Sequence, residues 1–309
     1  MPGQETAALP NQNRKRIAVF LILAVLLAVY SSFITADIFT GNSGNIYSRI
    51  LKYAAILLCL LLTLLIGKDC HDARDRRLLQ AALVLHAIGD FFIGILGMFT
   101  VAICVFFFMQ IAYIVRHSRG FKINRNEIIS GVLILGPLTG VLIAVSPMLI
   151  RAGIFIPVLI YSLTLMTSVW IGIGTIWRKF YPRTIDWIIT IAMISFFFCD
   201  LNVGLYNSLG QGGHALFVNM IGLPTDLARG TVLDSQATAI INQVTLIIPY
   251  TLRSIIGILV WIFYLPAVLL LSFSGYSLTF IRSIFPLIPV INEPDGVRPT
   301  VSDQAVPRP

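Results

Sequence analysis

Apolar residues run along this chain in blocks of about twenty, separated by short polar segments. A helix of that length crosses the roughly 30 Å hydrocarbon core of a bilayer. Eight such blocks are read, at about 17–36, 50–66, 78–96, 99–116, 128–147, 151–174, 184–206 and 253–273. The stretch from Leu78 to Val115 is too long for one crossing. Gly94, Gly97 and the absence of charge between 91 and 115 predict two helices joined by a very tight turn. The fold class predicted is all-α: a polytopic membrane bundle of about eight transmembrane helices, with both termini on the inner side.

The blocks also set the expected divisions of the chain. Residues 1–16 read as a flexible tail, 17–274 as the transmembrane domain, and 275–309 as an amphipathic stretch followed by a second flexible tail. Within the domain, 207–252 is the one long connection, and "QGGHALFVNM" and "ATAIINQVTLIIPY" read as interfacial or re-entrant segments.

Composition agrees with the pattern. The 309 residues are 57% hydrophobic and 12% charged, and the mean hydropathy is +0.87, far from an average soluble domain. The formal net charge of +8 raises the question of nucleic acid. With an inner N-terminus, however, seventeen of the 22 Lys and Arg residues fall in inner segments and five in outer ones. The charge therefore reports membrane orientation rather than a nucleic-acid surface. The basic "RKR" before a first block of about twenty residues marks an uncleaved anchor rather than a secretory signal. The four cysteines show no disulfide or zinc spacing.

Against this apolar background a few ionisable residues stand deep: His86 and Asp90 in "LVLHAIGDFFIGI", and Asp200 in "SFFFCDLNVGLYN". A carboxylate inside a bilayer is costly, so it persists where it is partnered or used. At 1.5 Å per residue, Asp90 lies about 18 Å from Leu78, and Asp200 about 20 Å from Trp187. Both lie in odd-numbered spans, so their helices run parallel and the two carboxyls are expected to face one cavity. A pair in that setting divides into an acid and a base or electrostatic stabiliser. The bland alternative is that each Asp only bonds neighbouring polar groups and fixes helix packing.

His86 precedes Asp90 by four residues and shares its helix face, which predicts a hydrogen bond between them and an orienting role, with proton shuttling as the sharper alternative. Gln110 and Tyr113 in "FFFMQIAYIVRH", Tyr161 in span six and Asn202 beside Asp200 are candidate supporting groups. Lys52, at the outer start of span two, is expected to snorkel toward the interface, within reach of a lipid headgroup. A catalytic zinc needs about three protein ligands. The remaining histidines (His71, His117, His214) fall in predicted loops, so neither a metal nor an organic cofactor is expected.

On these residues the chain resembles the YhhN-type lysoplasmalogenase family of eight-helix membrane proteins. The resemblance rests on "RILKYAAILLCLLL", the "IGDFFIG" of span three, the tight turn into "FFFMQIAYIV", Tyr161, "FFFCDLNVGL" and the aromatic final span "WIFYLPAVLLL". It covers about residues 17–206 and 253–273. It implies hydrolysis of the vinyl ether bond of lysophospholipids to a fatty aldehyde and a glycerophospho-alcohol, with the functional aspartates at Asp90 and Asp200. The chain differs from the family pattern at Gln110, where a His is usual, at Lys52-Tyr53 in place of Lys-Pro, and in a final span without its Gln. Asp200 is the expected proton donor, since His86 favours an ionised Asp90. Two other classes fit a buried carboxylate pair: a small-molecule or lipid transporter with a proton-linked Asp pair, and a non-catalytic family member. Expected partners are a lysophospholipid substrate and membrane lipids.

Overall fold

Helix accounts for almost all of the described backbone in the computed structural model, which describes residues 9–41, 45–151, 155–220 and 235–286. The long helices are α1 (Leu9–Thr40), α2 (Ile46–Leu64), α3 (Ala73–Asp90), α4 (Phe99–His117), α5 (Arg125–Arg151), α6 (Phe155–Ile173), α8 (Arg183–Met220) and α9 (Ser235–Phe273). Among the described residues there are also two short helices, α7 (Thr175–Arg178) and α10 (Leu278–Ile284). Among the described residues, seven segments are long and apolar enough to cross a membrane: Gln12–Thr40, Ile46–Leu64, Ala73–Ile95, Phe99–His117, Phe155–Arg178, Arg183–Asn207 and Thr251–Phe273. The chain is an integral, multi-pass all-α membrane protein. The eighth predicted block, 128–147, lies within the 27 residues of α5, about 40 Å of helix, although α5 is not among the seven.

Local chemistry starts and stops these helices. Asn45, Asp72 and Ser277 cap α2, α3 and α10 by accepting from the backbone N–H of Tyr47, Asp75 and Phe280. The predicted tight turn after span three is present. A single π-helical turn, Phe91–Ile95, ends α3. Gly97 then takes a φ of +69°, which glycine adopts without a Cβ penalty, and α4 begins at Phe99.

Long-range bonds show that the helices alternate in direction. At one end, the start of α3 meets the ends of α4 and α9: Arg116 holds Asp75 by two bonds, at 3.0 and 2.9 Å, and donates to Ser274 Oγ at 2.8 Å. Just past α6, Arg178 pairs with Glu127 at the start of α5 and donates to the His117 carbonyl at 2.7 Å. Trp170, near the end of α6, donates to the Glu127 carbonyl at 2.9 Å, so α5 and α6 are antiparallel. Near the start of α1, Lys15 donates to the Ile66 carbonyl at 2.6 Å and pairs with Asp69. At the other end, Asp37 of α1 meets Lys52 of α2, Arg49 donates to the Gly94 carbonyl, and Ser254 donates to the Gly41 carbonyl. The first of these layers is the basic end.

Several expectations need correction. Residues 9–16 belong to α1 rather than to a tail, because Lys15 is engaged by Asp69 and lies over the rings of Tyr276 and Phe280. Within the predicted connection 207–252, the residues through Met220 and again from Ser235 are helical, continuous with the helices of the flanking spans. Residues 1–8, 221–234 and the tail 287–309 lie outside the described set. The amphipathic stretch after the last span is α10, whose Phe280 and Ile281 pack into the core. His117, read as a loop residue, is the last residue of α4.

Candidate functional site: two aspartates held by tyrosines

Asp90 is the last residue of α3, in front of the π turn, and Asp200 lies midway along α8. Counting from Asp75 and Asp186 near the basic end, the axial rise is about 22 Å to Asp90 and about 21 Å to Asp200. By this count of helical rise the two aspartates stand at similar heights along their helices. Cys199, next to Asp200 in the chain, is buried.

Each carboxylate is held by a phenol from another helix. Tyr264 of α9 donates its hydroxyl to Asp90 Oδ2. Tyr161 of α6 donates to Asp200 Oδ2 at 2.6 Å. Asp90 and Tyr264 are buried, whereas Asp200 and Tyr161 keep partial exposure, so the Asp200 side is the more open. Gly89 is needed for this packing. A Cβ there would stand 2.5 Å from the Phe106 ring, closer than carbon atoms approach, so the Gly-Asp pair lets α4 lie directly against α3.

The supporting residues divide. Gln110 is fully buried and lies against the Tyr161 hydroxyl without an aligned hydrogen bond. Its Oε1 and Nε2 both lack a partner, as does the Tyr113 hydroxyl. Asn202 turns away and donates to the Phe198 carbonyl of its own helix at 2.7 Å.

His86 is the clearest departure. It shares Asp90's face, yet neither ring nitrogen makes a hydrogen bond. The rings of Phe106, Phe196 and Tyr264 surround it, with centroids 5.9, 5.4 and 5.2 Å away. The Tyr264 ring packs beside His86 while its hydroxyl takes the carboxylate, so the expected His86–Asp90 bond is absent. The reason for choosing Asp200 as the acid falls with it.

Lys52 also departs from expectation. It does not reach the interface as a headgroup contact, being 3% exposed. It forms a 2.6 Å ion pair with Asp37, which also accepts from Ser48 Oγ at 2.6 Å. Lys52 Nζ lies over the rings of Trp261 and Phe33. A buried ammonium is tolerable only when paired in this way.

Sequence reasoning missed Tyr264 and Asp37. Tyr264 carried a usable signal, a lone hydroxyl at mid-span among Phe, Leu and Val. Asp37 fell one residue beyond the first predicted span, where an acidic residue looked like an ordinary surface group.

No curated protein and no solved structure matches the chain. The sequence model of the YhhN family matches residues 47–221. That stretch is more than half of the chain and contains Asp90, Gln110, Tyr161 and Asp200, and by that match this chain belongs to the YhhN family.

Proposed function

We propose that the protein is an intramembrane hydrolase acting on the vinyl ether bond of lysoplasmalogens, with Asp90 and Asp200 as its acid and base. One observation carries this reading: two carboxyl groups from different helices of one apolar bundle are each held by a tyrosine hydroxyl. Membership of the YhhN family supports it.

A vinyl ether is hydrolysed by proton transfer to the carbon β to its oxygen. This moves the π electrons and leaves an oxocarbenium ion. Water then adds to the cationic carbon and loses a proton, and the resulting hemiacetal collapses to an aldehyde and an alcohol. The first step needs a carboxylic acid that keeps its proton. The second is helped by a carboxylate that stabilises the cation and takes the proton from water, the division of labour two carboxyls perform in glycoside hydrolysis. Two carboxyls sharing one apolar site disfavour double ionisation, so in this mechanism one of them keeps its proton. Tyr161 and Tyr264 fix which oxygen of each carboxyl is left facing the reacting bond.

The test is to incubate the purified protein with 1-alkenyl lysophospholipids, their saturated 1-alkyl counterparts and ester-linked lysophospholipids, and to measure released aldehyde and fatty acid. Aldehyde from the alkenyl lipid alone is expected, since only a C=C bond accepts the proton. Release of fatty acid from the ester, or no product from any lipid, defeats the proposal. The second outcome would put the non-catalytic or transporter readings first.

A further inference from the structure

Gln110 is the least explained residue of the site. Both ends of its amide are buried with no partner, and the Tyr113 hydroxyl three residues on, hence on the same helix face, is likewise orphaned. Buried polar groups are almost always satisfied, so unmet ones beside a reacting centre mark a position for water or ligand. The chemistry of that occupant is narrow. An amide with a free donor and a free acceptor suits a group that both accepts and donates. Asp200, held by the same Tyr161 hydroxyl that Gln110 lies against, disfavours an anion such as phosphate, and an apolar chain would leave all three polar atoms unmet. A neutral hydroxyl fits.

We propose that Gln110, with Tyr113 beside it, forms a subsite for a neutral hydroxyl next to the Tyr161–Asp200 pair. Two sources share that chemistry: the free glycerol hydroxyl adjacent to the vinyl ether, or the water that adds to the oxocarbenium ion. Gln110 is thus a positioning residue, and the proposal rests on the functional reading above. Were the glycerol hydroxyl the occupant, the subsite would explain a preference for lysolipids, because acylation removes the donor. Sites built around a substrate hydroxyl discriminate strongly against analogues lacking it.

Binding separates this proposal from the function itself. Full-length protein in detergent is titrated with an uncleavable 1-O-alkyl lysophospholipid and with its 2-deoxy counterpart, for wild type, Gln110→Met and Gln110→His. If the glycerol hydroxyl is the occupant, the wild type binds the hydroxylated ligand about tenfold tighter, the size of one or two neutral hydrogen bonds. Gln110→Met erases that gap while binding the deoxy ligand as before, and Gln110→His, whose ring keeps a donor and an acceptor, restores it. If water is the occupant, there is no binding gap, and Gln110→Met instead lowers kcat about tenfold on alkenyl and 2-deoxy alkenyl lipids alike, with KM unchanged. A wild type with no gap, together with a Gln110→Met variant of unaltered kcat, overturns the proposal. So does a wild type with neither a gap nor any turnover. A wild type that shows the gap but releases no aldehyde retains the subsite and refutes only the vinyl ether reaction.

Discussion

The Tyr161 hydroxyl donates to Asp200 Oδ2 at 2.6 Å, from a helix separate from the one that carries the carboxylate. Tyr264 holds Asp90 in the same manner. Replacing either tyrosine by Phe keeps the ring packing and removes only the donor. Tyr161→Phe and Tyr264→Phe are each expected to lower aldehyde release by about tenfold, the value of about one strong hydrogen bond. Tyr264→Phe should also lower thermal stability in detergent by about 1–3 kcal/mol, because Asp90 is buried and would lose its partner. Unchanged turnover in both variants would show that the phenols are packing groups only.

The carboxylates themselves should matter more. Asp90→Asn and Asp200→Asn preserve size and much of the hydrogen bonding while removing negative charge and the acidic proton. Each is expected to cost about 10²–10⁴-fold in aldehyde release, the range for a positioned general acid or base, with an unchanged elution profile in detergent. Whichever variant retains activity at low pH, where its remaining carboxyl is protonated, identifies that remaining carboxyl as the acid. Near-normal activity in both would refute the two-carboxylate chemistry.

The sequence carried Asp90 and Asp200 plainly because a charge in a twenty-residue apolar block is rare and costly, and their depths followed from counting residues. The tight turn at Gly97 was legible for a similar reason, since no single helix could absorb Leu78 to Val115. Side-chain partners were not legible. His86 and Asp90 satisfy the i, i+4 rule, yet Tyr264 from the far end of the chain takes the carboxylate and shields the imidazole with its ring. Helical periodicity states which residues share a face but says nothing of what packs against that face. Lys52 illustrates the same point, because its fate was decided by Asp37 on a neighbouring helix.

Asp72 caps α3 and pairs with Arg119. Burial alone would raise its pKa, but the bond from Arg119 and the backbone N–H of Asp75 outweigh that and hold it below the usual carboxylate range. The cap's contribution is therefore complete above the unfolded value of about 3.9 and is lost as pH falls through the depressed folded value. Because the carboxylate is partly exposed, the effect should be small and should shrink in high salt. Thermal unfolding of wild type and Arg119→Ala between about pH 6 and about pH 3 should show a shallower acid loss in the variant. Identical slopes would deny the pairing a role.

Orientation is a separate expectation. The basic end, with Lys15, Arg116, Arg119 and Arg178, is predicted to face the cytosolic side, by the excess of Lys and Arg in the segments that meet there. Reporter fusions at residues 120 and 220 should then report inside and outside respectively. An outside signal at 120 would invert the topology.

The buried pair of Arg116 and Asp75 links α3, α4 and the end of α9, with both side chains essentially without solvent. Such pairs add little net stability over apolar replacements, but breaking one strands a buried charge. Arg116→Met is accordingly expected to lower unfolding stability by about 3–5 kcal/mol. Asp75→Leu should be comparably harmful. The double variant should be more stable than either single one, because neither charge is left alone. Recovery will be partial, since Ser274 loses its Arg116 donor and Tyr181 loses its Asp75 acceptor. Arg116 lies about 9 Å along α4 from Gln110, on the basic side of the carboxylate pair. Aldehyde release per folded molecule should therefore stay near wild type in all three variants. Additive losses in the double variant would show that the two charges are stabilised independently, and a collapse of turnover in well-folded protein would tie the ion pair to the chemistry.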